Sequence, residues 1–385
     1  MGSNKKFFLF YVVAVVFLTA NSLYAQNYKK LDSILKEATT KIYINPDSVI
    51  KLGKMIVKQS GKNVDYKIKA YKLIADAYSS KRDYEKSLDY VIKANELLND
   101  SNDKLLKITI LNKTGIQYHQ LKVYDKAIQY LDQAEQLIAE YPFKDSIHSE
   151  LGINNIVRGF IYKEKLSCAI AIHFFDIGIA ELLKFNQKSD YSKISIAKYN
   201  KGNCYLSLDN NKLALENFEE AIVYAKKVNA KSLQAFALKG SAQVYTLQGK
   251  SENAIKALND ASNLSAEVDD LILNGEIYKG LAKNYLATNQ WEQFRVYDSS
   301  FISTQKLIKY RERKSVGESL AVKETESKEK LKGLSNKFYY SFSVLFLILA
   351  LIIVFFYMFT RKKLKEIEAK KRQIFLLQNE KVKQS

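Results

Sequence analysis

The chain has 385 residues, of which 47% are hydrophobic, 26% are charged and only two are proline. A β-rich protein of this size needs more turn residues than this, so the composition favours an all-α fold. The formal charge of +19 is typical of nucleic-acid-binding proteins. The targeting segments described below instead predict export, so we expect no nucleic-acid partner and interpret the charge as solvated helix faces.

The first 25 residues have the pattern of a secretory signal peptide. Lys5 and Lys6 precede an apolar run from Phe7 to Leu18, and small residues lead to Ala25. A short basic region, an apolar stretch and a small residue at the cleavage point define such signals. We therefore predict cleavage after Ala25. The alternative is an uncleaved anchor helix, for which the apolar run is short.

Six tyrosines, which we call the signature tyrosines, divide the middle of the chain into repeats. They follow one another at spacings of 40, 44, 43, 40 and 40 residues: Tyr78, Tyr118, Tyr162, Tyr205, Tyr245 and Tyr285. In the second repeat the small residue Gly115 lies three positions before the tyrosine. Ala127, Leu131 and Ala134 follow the tyrosine. Small residues at these spacings indicate where two helices cross, and the bulky residue fills the space between them.

This pattern resembles the tetratricopeptide repeat, in which helix pairs stack into a solenoid. The resemblance covers residues 68–303 as about six repeats of 40–44 residues and implies a right-handed, all-α superhelix. The usual period is ~34 residues, so we expect longer helices or longer connections. Residues 26–67 are interpreted as a degenerate N-terminal helix pair. Phe294 and Phe301 in the sixth repeat are typical of a C-terminal cap.

In tetratricopeptide superhelices the first helix of each pair lines a concave groove that binds proteins or peptides. The register of the signature tyrosines implies these inward-facing candidates: Asn112, Ile116, His119, Phe160, Tyr199, Asn203, Lys239, Gln243, Lys279 and Lys283. Side-chain amides can pair with a peptide backbone, and the lysines attract an acidic side chain or a C-terminal carboxylate. The alternative is that these are ordinary solvated or packing positions.

Three segments follow the array. Residues 304–337 are highly charged and lack proline, which is typical of a polar helical stalk. Residues 338–360 contain no charge over 23 positions, long enough for a transmembrane helix across a ~30 Å hydrocarbon core. The basic run Arg361–Lys363 marks the cytoplasmic side. We therefore predict a single-pass protein of the bacterial inner membrane, with periplasmic repeats and a cytoplasmic tail over residues 361–385.

Two interpretations of the basic tail remain open. Leu364, Ile367 and Ile374 occupy heptad positions, which favours a coiled coil and a homodimer. Lys371 and Gln378 lie on the same seam, which favours a solvated or membrane-surface helix. The predicted span contains no pair of small residues four positions apart, so it gives no support for tight dimerisation.

The catalytic and metal-binding patterns fail on spacing or context. Cys168 and Cys204 are the only cysteines and lack the spacing of zinc ligands. We interpret them as core residues, with a disulfide in an oxidising compartment as the alternative. Gly249–Ser251 lacks the upstream glycine of a phosphate-binding loop, so Gly249 more simply makes a turn. Gly317–Ala321 lacks the strand that precedes a nucleophile elbow. We predict no enzymatic activity, no cofactor and no metal.

The order of segments resembles the periplasmic sensor half of Gram-negative receptors in which such an array precedes a histidine kinase or a helix-turn-helix regulator. No kinase or DNA-reading domain follows the predicted span within the 385 residues. Two functions are therefore compared below. The first is an inner-membrane scaffold or adaptor that binds a periplasmic protein or peptide. The second is a sensory receptor whose effector is absent, truncated or recruited in trans.

Overall fold

The computed structural model describes residues 30–42, 45–185, 187–266 and 270–383. The predicted signal peptide, with its cleavage after Ala25, lies outside these residues. Every regular element in the described part of the chain is helical, and no strand occurs there. The all-α prediction is confirmed. The chain divides into two compact units, residues 1–304 and 305–385, which we describe separately.

Helices follow one another with short connections through the first unit. Their bounds are α1 (described part 30–40), α2 (Pro46–Gln59), α3 (Val64–Ser80), α4 (Tyr84–Glu96), α5 (Lys104–Gln120), α6 (Tyr124–Ala139), α7 (Lys144–Lys165), α8 (Cys168–Phe185), α9 (Tyr191–Ser207), α10 (Asn211–Lys227), α11 (Lys231–Leu247), α12 (Ser251–Ser265), α13 (Leu271–Ala287) and α14 (Trp291–Lys383). From α3 to α12 each odd-numbered helix packs on the even-numbered helix that follows it. These antiparallel pairs, together with α13 and the start of α14, correspond to the six predicted repeats.

Short polar side chains begin many of these helices. In six of the described helices, the side-chain oxygen of the N-cap residue accepts a hydrogen bond from a backbone N–H in the first turn. The capping residues are Asn45, Asn63, Asp83, Asp103, Asn210 and Asp270. Each cap satisfies a donor that would otherwise lack a partner and contributes about 1 kcal/mol to helix stability.

The signature tyrosines lie at the C-terminal ends of the first helices. In all six repeats the tyrosine carbonyl accepts a hydrogen bond of 2.9–3.1 Å from the N–H five positions later; the donors are Asp83, Val123, Ser167, Asn210, Lys250 and Gln290. In five of the six, the residue before the donor has a positive φ, including Gly249 at 71° and Lys122 at 60°. This is the Schellman arrangement. It places Gly249 in the turn between α11 and α12, as the sequence predicted.

Small residues bring the two helices of a repeat together. A Cβ added to Gly202 would lie 2.7 Å from the Phe218 ring, and one added to Gly115 would lie 2.9 Å from Leu131. Phe218 and Leu131 are fully buried. Because glycine has no side chain, the bulky residue of the second helix rests directly on the backbone of the first. The helix-crossing points predicted from the sequence are thereby confirmed at Gly115 and Gly202.

Helix length accounts for the long period. α9 and α10 contain 17 residues each, so the two together are already as long as a usual ~34-residue repeat, and the connections add to that. The first repeat begins slightly earlier than predicted, because Asn63 caps α3 at Val64. The predicted N-terminal pair corresponds to α1 and α2.

An ion pair joins distant repeats within the first unit. Arg82, in the turn between α3 and α4, approaches Asp270 at the start of α13 with an N–O distance of 3.1 Å. These residues are 188 positions apart in the sequence. The Arg82 side chain is 53% exposed, and an exposed pair contributes at most about 1 kcal/mol. The contact therefore adds little to the stability of the array.

The second unit consists of helix. α14 begins as the second helix of the sixth repeat and continues to Lys383, so the segments predicted as stalk, span and tail are helical as far as they are described. Its stretch Leu331–Arg372 has the length and composition to cross a membrane, with a mean hydropathy of 2.9 in its most apolar window. Among the described residues this is the one helix that meets those criteria.

A large side chain at the helix-crossing point of the second repeat tests the assignment of these crossing positions. Gly115→Leu should lower the stability of the array by about 1–3 kcal/mol, because the new side chain meets Leu131 and the Ala127 carbonyl. Gly333→Leu is the matched control, since a Cβ there meets no atom within 4 Å. Thermal unfolding followed by circular dichroism in detergent measures both. Equal melting temperatures for the two variants would contradict the register.

Candidate functional site

The first helices α5, α7, α9, α11 and α13 pack side by side, and we call the face that they share the groove. The groove contains two cavities of different chemistry. One lies on α5, α7 and α9 and is apolar, and the other lies on α11 and α13 and is basic. Seven of the ten predicted site residues line these two cavities.

The apolar cavity has a volume of about 320 Å³. Its lining residues are Ile116, His119, Gln120, Ile153, Ile156, Val157, Phe160, Lys193 and Ile196. On α7 the contributing residues recur three and four positions apart, so they form one apolar stripe. The Phe160 ring anchors the cavity wall, because it stacks on His119 at 5.7 Å and packs against Phe175 at 5.5 Å between ring centres.

His119 lies in the wall of the apolar cavity, whose other polar residues are Gln120 and Lys193. Its Nε2 lies 3.9 Å from the Glu164 carboxylate, beyond hydrogen-bond distance, and has no hydrogen-bond partner among the described residues. Burial lowers the pKa of His119, and the Glu164 carboxylate opposes this only in part. Burial thus favours the neutral form of the imidazole. The unpartnered Nε2 is itself buried.

The basic cavity has a volume of about 260 Å³. Seven of its eleven lining residues are polar: Lys239, Gln243, Thr246, Glu276, Lys279, Lys283 and Asn284. None of its three lysines forms an ion pair with any residue that the structure describes. Buried Asn284 fixes the floor through hydrogen bonds of its Nδ2 to the Thr246 hydroxyl and the Gly280 carbonyl, both at 2.8 Å. Three unneutralised ammonium groups beside one carboxylate make this cavity attractive to anions.

At the other end of the array, before the groove, the charges are already neutralised. Asp76 on α3 contacts Lys72 at 3.0 Å and Lys113 on α5 at 2.6 Å. Burial raises the pKa of the Asp76 carboxyl, but the two ammonium groups outweigh burial and lower that pKa to about 2. This network joins the first two repeats and leaves those lysines unavailable to a ligand.

The remaining three predicted residues lie elsewhere. Asn112 does not face the groove, because it is 1% exposed. Its Nδ2 donates to the Glu150 carbonyl and carboxylate at 3.0 and 2.8 Å, and its Oδ1 accepts from Asn154 at 2.9 Å. α7 therefore covers this position. Tyr199 and Asn203 are half-buried on α9, between the two cavities, where the Tyr199 ring lies 6.0 Å from the Lys239 ammonium.

Several lining residues were not among the predicted site residues. Ile196 and Glu276 lie one helical turn before the predicted Tyr199 and Lys279 positions, and Ile153 lies two turns before the predicted Phe160. Extending the predicted stripes by one or two turns finds all three. Lys193 lies one turn further back on α9, at the edge of the apolar cavity.

The two cysteines lie together in the core. Cys204 is fully buried and Cys168 is half-buried, both are free thiols, and both pack into the same core cluster. Burial raises the pKa of the Cys204 thiol to about 12, and a hydrogen bond with Cys168 adds to the shift. A protonated, buried thiol is unreactive. Among the described residues, no three His, Cys, Asp or Glu side chains are grouped to hold a metal ion.

Comparison with known proteins agrees with this geometry. Residues 193–267 match the tetratricopeptide repeat family. The fold is a tetratricopeptide repeat solenoid. A sequence relative is response regulator aspartate phosphatase E of Bacillus subtilis (strain 168), which is 24% identical over 199 residues. The alignment covers 50% of this chain and 50% of that relative, so the chain matches about half its length.

Two solved structures share the tetratricopeptide solenoid. One is a STAND signal-transduction ATPase with a tetratricopeptide repeat sensor from Pyrococcus horikoshii, with a TM-score of 0.54 and 16% identity, covering 72% of this chain and 41% of that one. The other is NprR in complex with its cognate peptide NprX, with a TM-score of 0.51 and 15% identity, covering 71% and 76% of the two chains. At these identities the similarity establishes the fold alone.

Acid unfolding tests the ion-pair network at Asp76. Because the folded pKa is lowered to about 2 from 3.8, the stabilisation is complete above about pH 4 and is lost as the pH falls towards 2. The difference corresponds to about 2 kcal/mol. Asp76→Asn should therefore be less stable than wild type at pH 7 and nearly equal at pH 2, measured by denaturant unfolding.

The exposed pair of Asp47 with Lys81 offers the control for this experiment, since the Asp47 side chain is 69% exposed. Asp47→Asn should change stability by well under about 1 kcal/mol at either pH. A constant stability gap between Asp76→Asn and wild type from pH 7 to pH 2 would contradict the assignment.

Proposed function

We propose that this chain is a membrane-anchored tetratricopeptide repeat protein that binds an extended peptide segment of a protein partner through the groove, as a scaffold or adaptor. The observation that carries this proposal is the presence of an apolar and a basic cavity on one face. The apolar cavity suits an aliphatic or aromatic side chain of the ligand. The basic cavity suits an acidic side chain or a C-terminal carboxylate.

The spacing of the cavities supports an extended ligand. The apolar cavity is centred on α7, and the basic cavity begins at α11, two first helices further along the array. The axes of packed helices lie about 8–10 Å apart. The separation is therefore on the order of 20 Å, which roughly six extended residues span at ~3.3 Å each. Between the two cavities, the Asn203 amide can pair with backbone groups of the ligand, and the Gln243 amide can do so within the basic cavity.

A structural relative supports the same mode of binding. NprR has been solved with its cognate peptide NprX, and its fold matches 71% of this chain. The transfer of a peptide ligand to this chain is our proposal, because 15% identity carries the fold alone. Nothing in the groove requires catalysis for this role, and we retain the prediction that the chain is not an enzyme.

The topology that we propose places the groove outside the cytoplasm. The apolar stretch in Leu331–Arg372 is the membrane span, and the basic run Arg361–Lys363 holds its C-terminal end at the cytoplasmic side. The array then lies in the periplasm of a bacterial inner-membrane protein, with its ligand among periplasmic proteins or peptides. Dimerisation through the tail remains a prediction from the heptad pattern.

One observation favours a sensory receptor as the second candidate. α14 is a single helix from Trp291 to Lys383, so the second helix of the last repeat, the stalk, the span and the tail share one element. A ligand that changes the last repeat would then act directly on the helix that enters the membrane. An effector recruited by the tail would complete such a receptor.

Peptide selection tests the proposed groove. A library of random peptides with free C-termini should yield ligands for the full chain in detergent, and these should combine a carboxylate with an apolar residue about six positions away. The triple variant Lys239→Ala, Lys279→Ala and Lys283→Ala should bind the selected peptides at least about tenfold more weakly, since each hydrogen bond to a charged group contributes about 1.5–3 kcal/mol.

A second triple variant controls for net charge. Lys51, Lys212 and Lys250 are exposed and lie off the groove, so their replacement by alanine removes the same charge without changing either cavity. This variant should bind the selected peptides with wild-type affinity. Equal weakening in both triple variants would show that attraction by net charge, and not the basic cavity, causes binding, and the proposal would fail.

A further inference from the structure

In four of the six repeats, the ring of the signature tyrosine stacks on an aromatic ring of the second helix. The partner always lies twelve positions later in the sequence. The pairs are Tyr78–Tyr90, Tyr118–Tyr130, Tyr162–Phe174 and Tyr285–Tyr297, with ring centres 4.8–5.6 Å apart. These repeats therefore fill the space beside the tyrosine with a ring of their own.

The fourth and fifth repeats lack the second ring. In the fourth, Asn217 occupies that position and is 6% exposed, and the Lys201 ammonium lies 5.6 Å from the Tyr205 ring centre. Polar groups thus close this site. In the fifth, the position is Ala257, and no aromatic ring packs against Tyr245 in the part of the chain that the structure describes. The fifth repeat alone combines an uncovered signature ring with a small residue opposite.

A cavity of about 380 Å³ occupies the place of the missing ring. Both Tyr245 and Ala257 line it, together with Ile222, Leu238 and Ser241. α11 forms its floor, and α10 and α12 form its walls. The floor residues are on a different side of α11 from Lys239 and Gln243, so this cavity does not belong to the peptide groove described above.

A second cavity of about 380 Å³ extends the first. The two share Ile222, Leu238 and Asp260, so they form one continuous channel between α10 and α12, which we call the outer channel. Along α11 it extends from Tyr245 back to Gln234, a length of about 16 Å at 1.5 Å per residue. Charged side chains of both signs, Glu219, Lys226, Lys256 and Asp260, border it.

We propose that the outer channel is a second protein-binding site, and that its occupant is a segment of a partner protein that inserts one aromatic side chain beside Tyr245. Four repeats of the same array place an aromatic ring at the equivalent position, so the backbone geometry of the repeat accommodates one. Offset stacking on Tyr245 favours an aromatic over an aliphatic side chain. The mixed charges at the border suit a segment with polar residues on both sides of the ring.

The first test uses two small probes on the full chain in detergent micelles. Ile222 lines both cavities, so its ¹³C-labelled δ1 methyl group reports occupancy by NMR. N-acetyl-tyrosinamide should shift this signal saturably, through the ring current. N-acetyl-leucinamide should bind roughly two- to tenfold more weakly, which corresponds to the contribution of an aromatic pair. The absence of a saturable shift, or equal affinity for both probes, would overturn the proposal.

The second test restores the missing ring from within. Ala257→Tyr should fold with a melting temperature no lower than that of wild type, because the new ring enters the empty space, and should abolish the response of Ile222 to N-acetyl-tyrosinamide. Binding of groove-selected peptides should stay unchanged in this variant. A destabilised variant would show that the space does not admit a ring, and a retained probe response would place the probe elsewhere. Either result overturns the proposal.

Self-association is the remaining outcome of these measurements. If the Ile222 signal shifts with protein concentration in the absence of probe, and Ala257→Tyr removes that shift, then a second copy of the chain occupies the channel. That result would replace the partner protein as occupant and would contradict the proposal as stated.

Discussion

The middle of the array depends on the contact between a bulky residue of a second helix and the bare backbone of neighbouring first helices. Phe218 illustrates the constraint, because a Cβ added to Gly202 of its own repeat would lie 2.7 Å from its ring and one added to Gly240 of the next repeat 2.6 Å. One buried ring thus fixes three helices. Side chains packed this closely tolerate little change in volume. The packing of one repeat therefore fixes the position of the next repeat's first helix.

That register creates both candidate binding surfaces. It sets the first helices side by side. Residues one helical turn apart form a stripe on each helix, and the stripes of neighbouring helices together line the cavities of the groove. Charge then distinguishes the two ends of the array: Asp76 on α3 neutralises the lysines near it, whereas Lys239, Lys279 and Lys283 in the groove pair with no described acid. On another side of α11, the same register aligns Ala257 with Tyr245 and leaves the outer channel open.

The sequence predicts the features that repeat and misses those that occur once. Spacing alone located the signature tyrosines, the glycine crossing points and the turn at Gly249, because each follows from helical geometry within about 20 residues. Asn112 was predicted in the groove but is buried by α7, since the partner that covers it lies 38 residues away. Arg158, buried and bonded to Asn154, Asp132 and Glu135, was missed for the same reason. Pairings between repeats require the superhelix to be known.

Site-specific photo-crosslinking in intact cells tests the central claim most directly, namely that the groove binds a peptide or protein. p-Benzoylphenylalanine at Ile196 lies in the apolar cavity, whereas at Leu183 it occupies a position that is 40% exposed on α8, a second helix. We expect the position at Ile196 to yield a crosslinked product, and the additional change of Lys239, Lys279 and Lys283 to alanine to remove it. Crosslinking at Leu183 alone, or a product at Ile196 that persists without the three lysines, would contradict the proposed groove.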